Sequence, residues 1–114
     1  MGLTQRYTDI LAEHGMDLQD VFYIDDIALD REMTLRAIDI LEEEGAVILG
    51  GDVYLMANGK LRFALANWYT NRRPDEHTGE TARRSVAHSR TYVTQFKDAS
   101  GDVPYFSLVI DQGL

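Results

Sequence analysis

There is no cysteine in this chain of 114 residues. That excludes a thiolate nucleophile, cysteine-bound zinc and disulfide staples, and it suits a reducing compartment. No Pro/Gly-rich linker, internal repeat or low-complexity tract breaks the chain, so residues 1–114 read as a single domain. Long hydrophobic runs are missing too. The longest extend four or five residues, far short of the roughly 20 that span a bilayer. Residues 1–15 are amphipathic and charged, without the apolar core of a signal peptide. The expected compartment is the cytoplasm, and no membrane partner is expected.

What is present is apolar material for one real core, 45% of residues, and an excess of acid. The formal net charge is −8. Residues 1–55 carry thirteen acidic and three basic side chains; residues 56–114 carry six acidic and eight basic. Halves of opposite sign can attract each other within one fold. The remaining negative charge disfavours nucleic acid and can steer a basic partner.

The pattern predicts three helices. The first runs from an N-cap at Thr4 to about Glu13, with Gly15 where a left-handed terminating residue would sit. Val21-Phe22-Tyr23-Ile24 is either a buried strand or one helical turn, because four residues cannot fix a period. The second helix is capped by Asp30 and stopped by Gly45. Met33, Ala37, Ile38, Ile40 and Leu41 make its apolar face; Glu32, Arg36, Asp39 and Glu43 make the opposite stripe, with Glu32 and Arg36 in favourable i, i+4 order. Glu42, Glu43 and Glu44 crowd the negative end of the helix dipole, a cost that a partner or a nearby arginine could offset. The third helix covers about Glu80 to Phe96, with Ala82, Val86, Ser89, Val93 and Phe96 on one face.

Strands are expected from Val47-Ile48-Leu49, on both sides of Asn58-Gly59, at Asn67–Thr70 and at Tyr105–Ile110. Asn-Gly supplies the positive φ angles of a tight hairpin. Regular βαβ alternation is absent. The fold class expected is α+β, an antiparallel or mixed sheet of about four to five strands with about three helices packed against it.

Candidate sites are few. His14, His77 and His88 lack metal-ligand spacing, and Asp25, Asp26 and Asp30 are interrupted by apolar residues where a calcium loop needs oxygen donors. Gly50-Gly51-Asp52 is followed by a strand, whereas a phosphate loop runs into a helix, so a bulge or tight corner is the simpler reading. No nucleophile elbow or His–carboxylate pair appears. No catalytic residue, metal or cofactor is therefore expected. The neighbours Trp68 and Tyr69 are either core packing or, if exposed, a contact hot spot. A helix followed by a hairpin also suggests a winged-helix module for a ligand or nucleic acid. Its would-be recognition helix carries five acids and two arginines between Arg31 and Glu44, the wrong sign for DNA.

Several short stretches, in this order, resemble the fortieth immunity-protein family of bacterial polymorphic toxin systems. They are Ala28-Leu29-Asp30 leading into a helix with Ala37-Ile38 and Leu41, Ile48-Leu49-Gly50-Gly51-Asp52-Val53-Tyr54, Asn58-Gly59-Lys60, Asn67-Trp68-Tyr69, Arg84-Ser85 and the closing aromatic-aliphatic strand. The resemblance runs from about Ile27 to Ile110. It implies a small, non-enzymatic, cytoplasmic protein that binds and blocks a cognate toxin, and it transfers no individual binding residue. Combined with the acidic charge, it leads to the expectation that a basic toxin surface, as on a nuclease domain, is occluded. The contact set expected is Asp39, Glu42, Glu43, Asp52, Tyr54, Trp68 and Tyr69.

Overall fold

The computed structural model describes residues 4–22, 24 and 26–111. Helix α1 (Gln5–His14) opens the chain. A two-residue strand β1 (Met16–Asp17), a single turn α2 (Gln19–Phe22) and strand β2 (Ile27–Asp30) follow. Then come α3 (Arg31–Glu43), the hairpin β3 (Ile48–Ala57) and β4 (Lys60–Tyr69), helix α4 (Thr78–Gln95) and strand β5 (Val103–Ile110). The strands form one sheet in the order β1-β2-β5-β3-β4, every neighbour antiparallel. The fold is α+β, and β5 is central.

Local chemistry accounts for the boundaries. The Asp30 carboxylate accepts the Met33 amide at 2.8 Å, and Thr4 Oγ1 accepts that of Tyr7 at 3.4 Å. Asn58 and Gly59 both take positive φ, 54° and 79°, as a two-residue hairpin requires. Gly15 corrects the sequence reading. Its φ of −77° is extended, not left-handed. Glycine is needed there for space: a Cβ would stand 2.1 Å from Ile27 Cγ2 and 2.4 Å from the Leu11 carbonyl oxygen.

Val21 and Phe22 belong to the helical turn α2, and Asn67–Tyr69 continue β4. Strands β1 and β2 carry too few residues to show a period. Tyr23 and Asp25 lie outside the described residues, so the cation reading of Asp25 cannot be placed. Glu32 and Arg36 are both exposed and form no pair among the described residues.

Helices α3 and α4 lie side by side on one face of the sheet, with α1 against α3. The main core lies between them and the strands. Phe106, Leu29, Ile38, Ile48, Val53, Val86 and Val93 are each at most 2% exposed. The last turn of α4 has no basic residue of its own. Arg31, at the start of α3, reaches across instead, donating to the Val93, Thr94 and Phe96 carbonyls while its guanidinium lies 5.9 Å over the Phe106 ring. A second, smaller core sits on the other face. Leu18, Phe22 and Ile24 cover Tyr54, Leu61 and Tyr105 there, and the Phe22, Tyr54 and Phe63 rings touch, with centroids 4.2–5.7 Å apart.

Candidate functional site

Three surfaces hold the residues that the sequence singles out. The first is interior. Gly51 pairs with Trp68 across β3 and β4, and a Cβ on Gly51 would lie 2.3 Å from the indole Cη2 and 2.5 Å from the Ser107 carbonyl oxygen. The glycine is therefore the floor on which the ring rests. A Cβ on Gly50 would come within 2.1 Å of the Trp68 carbonyl oxygen. The register against β5 shifts between Ile48 and Gly50, so Leu49 is the extra residue of a bulge that ends at Gly50, and Gly51 is back in register. Trp68 stacks on Tyr92 at 4.7 Å, meets Phe106 edge-on at 6.3 Å and donates its indole N–H to Ser89 Oγ at 2.9 Å. At 5% exposure it is core. Ser85, one turn earlier on α4, accepts the Ile48 amide at 3.0 Å and donates to the Ala82 carbonyl.

The second surface is the acidic rim of α3. Arg90 from α4 bridges Asp39 at 2.9 Å and Glu42 at 2.8 Å. Arg6 from α1 pairs with Glu43 at 3.0 Å, and the Thr4 hydroxyl donates to Glu44 at 2.7 Å. The crowding of carboxylates at a helix C-terminus is thus offset by cations and a donor from neighbouring helices. The same contacts clamp α3 to α1 and α4. The strands after this helix lie within a five-stranded sheet.

The third surface is the half of the sheet opposite the helices that the small core leaves uncovered. Asp52 and Asn67 face each other across β3 and β4, and Gly50 faces Tyr69. Asp52 and Asn67 are exposed, and Asp52 has no hydrogen bond or ion pair among the described residues. Tyr69 is 70% exposed. Tyr54 belongs to this face but is buried under Phe22, and burial raises its phenol pKa. Of the seven expected contact residues, then, Asp52 and Tyr69 share an open face, Asp39, Glu42 and Glu43 line the helical side, and Tyr54 and Trp68 are interior.

Sequence reasoning missed three exposed apolar side chains on the third surface: Phe63, Leu65 and Val109. Leu65 is the most unusual. Val53 pairs with Ala66 and Tyr54 with Phe63, so Ala64 and Leu65 are an insertion in β4. Leu65 has φ +57° and is 95% exposed. A left-handed conformation costs an L-residue about 1–2 kcal/mol. Glycine or asparagine meets that need more cheaply. A groove of about 460 Å³ runs beside the bulge, its walls including Leu65, Phe63, Asp52, Asp26 and Ile24. Among the described residues no helix is long and apolar enough to cross a membrane. No group of three or more His, Cys, Asp or Glu is placed there to hold a metal.

A family model described as Immunity protein 40 matches residues 11–110. The chain belongs to that family. No curated protein and no solved structure shows significant similarity to it. In this immunity protein the matched segment takes in the Trp68 hub, the Arg90 clamp and the whole of β3, β4 and β5. The family description implies a cognate toxin as partner. The two exposed faces of the immunity protein differ in kind: Asp39, Glu42 and Glu43 of α3 are engaged with arginines of the same chain, and the open sheet face holds Asp52, unpaired among the described residues, beside apolar side chains.

Proposed function

We propose that this protein neutralises a cognate toxin domain in the cytoplasm by binding it and covering its working surface, with no chemistry of its own. Membership of the immunity family is the observation that carries the reading. Net charge of −8 supports a basic partner, as a nuclease domain would be, because charges of opposite sign raise the encounter rate at low salt. The acidic, partly aromatic contact surface is centred on Asp52 and Tyr69. Tyr54 and Trp68 hold that sheet in shape from within, and the carboxylates of Asp39, Glu42 and Glu43 add to the field that steers the encounter.

The test is to purify the toxin domain encoded beside the gene and titrate it with this protein. A 1:1 complex that abolishes toxin activity is expected, with an association rate that falls as salt rises. Full toxin activity at a tenfold molar excess of this protein would remove the reading.

A further inference from the structure

We infer that the toxin docks on the open sheet face at the β4 bulge, with Leu65 as an apolar anchor and the adjacent groove receiving a lysine or arginine of the toxin. This rests on the immunity reading and specifies its surface.

The argument begins with Leu65. Strand β4 is the sheet edge, and a bulge there is a common device against edge-to-edge pairing. A bulge needs a residue that tolerates positive φ; it does not need a leucine. The side chain is 95% exposed. It contributes almost no burial to the isolated chain, and its backbone is held where a branched aliphatic residue is disfavoured. Both features weaken the monomer, and both become useful if a rigid apolar knob enters a pocket on a partner. Phe63 at 49%, Tyr69 at 70% and Val109 at 43% exposure extend the apolar area around it.

Charge identifies the occupant. Asp52 projects from the middle of this face with no cation paired to it among the described residues. Asp26 also lines the groove, its carboxylate already accepting the Ile27 amide at 2.8 Å. Arg72, in the loop after β4, is itself bonded to Asp111. A groove with apolar walls and the Asp52 carboxylate beside them suits a long cationic side chain, whose methylenes lie along the walls while its head meets that acid. On the helical side Asp39, Glu42 and Glu43 already hold arginines.

The experiment compares four proteins against the same purified toxin domain by calorimetry and stopped-flow: wild type, Leu65→Asn, Asp52→Asn and Glu32→Gln. Asparagine accepts the left-handed backbone, so Leu65→Asn should melt at or above the wild-type temperature while binding at least tenfold more weakly. Asp52→Asn should slow association and flatten its salt dependence. Glu32→Gln removes the same single charge from the first turn of α3, on the opposite side of the sheet, and should change affinity by less than twofold. Wild-type binding retained within twofold by Leu65→Asn would overturn the docking site and leave the immunity reading intact. Equal losses in Asp52→Asn and Glu32→Gln would overturn the local role of Asp52. A wild-type dimer in sedimentation that Leu65→Asn dissociates would overturn it in favour of a second copy as occupant. Absence of any wild-type complex would overturn the immunity reading and this inference with it.

Discussion

Gly51→Ala should be among the most damaging one-carbon changes in this protein. The added methyl would meet two atoms that differ in freedom. Trp68 Cη2, 2.3 Å away, belongs to a side chain; the Ser107 carbonyl oxygen, 2.5 Å away, belongs to the central strand. The indole cannot withdraw, because Tyr92 stacks on it at 4.7 Å and its N–H is committed to Ser89. Overpacking of this kind costs about 1–3 kcal/mol. If the ring turns to escape, the Ser89 bond is lost as well, about 0.5–1.5 kcal/mol. The sum is about 2–4 kcal/mol, which for a domain of this size lowers Tm by roughly 8–16 °C. Thermal and urea melts followed by circular dichroism measure it directly. A Trp68→Leu background separates the two clashes, since it removes the ring and leaves the carbonyl. There Gly51→Ala should cost about 1–2 kcal/mol less, a coupling normal for residues in contact. A Gly51→Ala melt within 3 °C of wild type, or costs that simply add in the double variant, would refute the account of the glycine as the floor for the ring.

Two further outcomes follow from the polar contacts. Ser85→Ala strands the buried Ile48 amide, so it should cost about 1–3 kcal/mol in urea denaturation and speed hydrogen exchange at that amide. Glu76, hydrogen-bonded by Arg84 and by Thr81, has its carboxyl pKa held down to about 2. Because the folded value lies below the unfolded one, this interaction stabilises the protein above about pH 4.5 and is lost as pH falls towards 2. Stability curves of wild type and Glu76→Gln should therefore be separated at neutral pH and merge near pH 2; curves that stay parallel would show that the carboxylate contributes nothing.

Much of the frame was legible in the residues, because capping and turn chemistry are local. Asp30, Thr4 and Asn58-Gly59 each act on a backbone amide or dihedral within a few positions. What was not legible depends on alignment between distant segments. Counting back from the hairpin turn pairs Tyr54 with Phe63, and an unbroken ladder would then place Leu49 opposite Trp68. The insertion of Ala64 and Leu65 moves the register by two and places Gly51 there instead. Because two residues are inserted, the alternation of faces survives, and no disturbance of the pattern betrays the bulge. The same limit applies to charge. Glu42 and Glu43 read as an unfavourable helix end; only the packing of α1 and α4 brings Arg6 and Arg90 to them. Trp68 and Tyr69 are adjacent, yet one is core and the other 70% exposed, as strand alternation demands once the buried side is known.

This separation of faces bears on how an acidic inhibitor of this shape works. The charge that gives residues 1–55 their excess of ten negative side chains resides largely on the helices and the early loops. The open face contributes Asp52 and otherwise presents Phe63, Leu65, Asn67, Tyr69 and Val109. Steering responds to the summed field over about a Debye length, roughly 8 Å at physiological salt, and pairing with Arg90 still leaves Asp39 and Glu42 a net charge of one. Retention of a bound partner depends instead on contact area and on groups desolvated at the interface. Charge substitutions, Asp52 included, should therefore alter how salt affects association, and substitutions of the apolar side chains on the sheet should alter the lifetime of the complex. On the proposed function, such a division would let one surface hold a specific toxin while the rest of the molecule attracts any basic one.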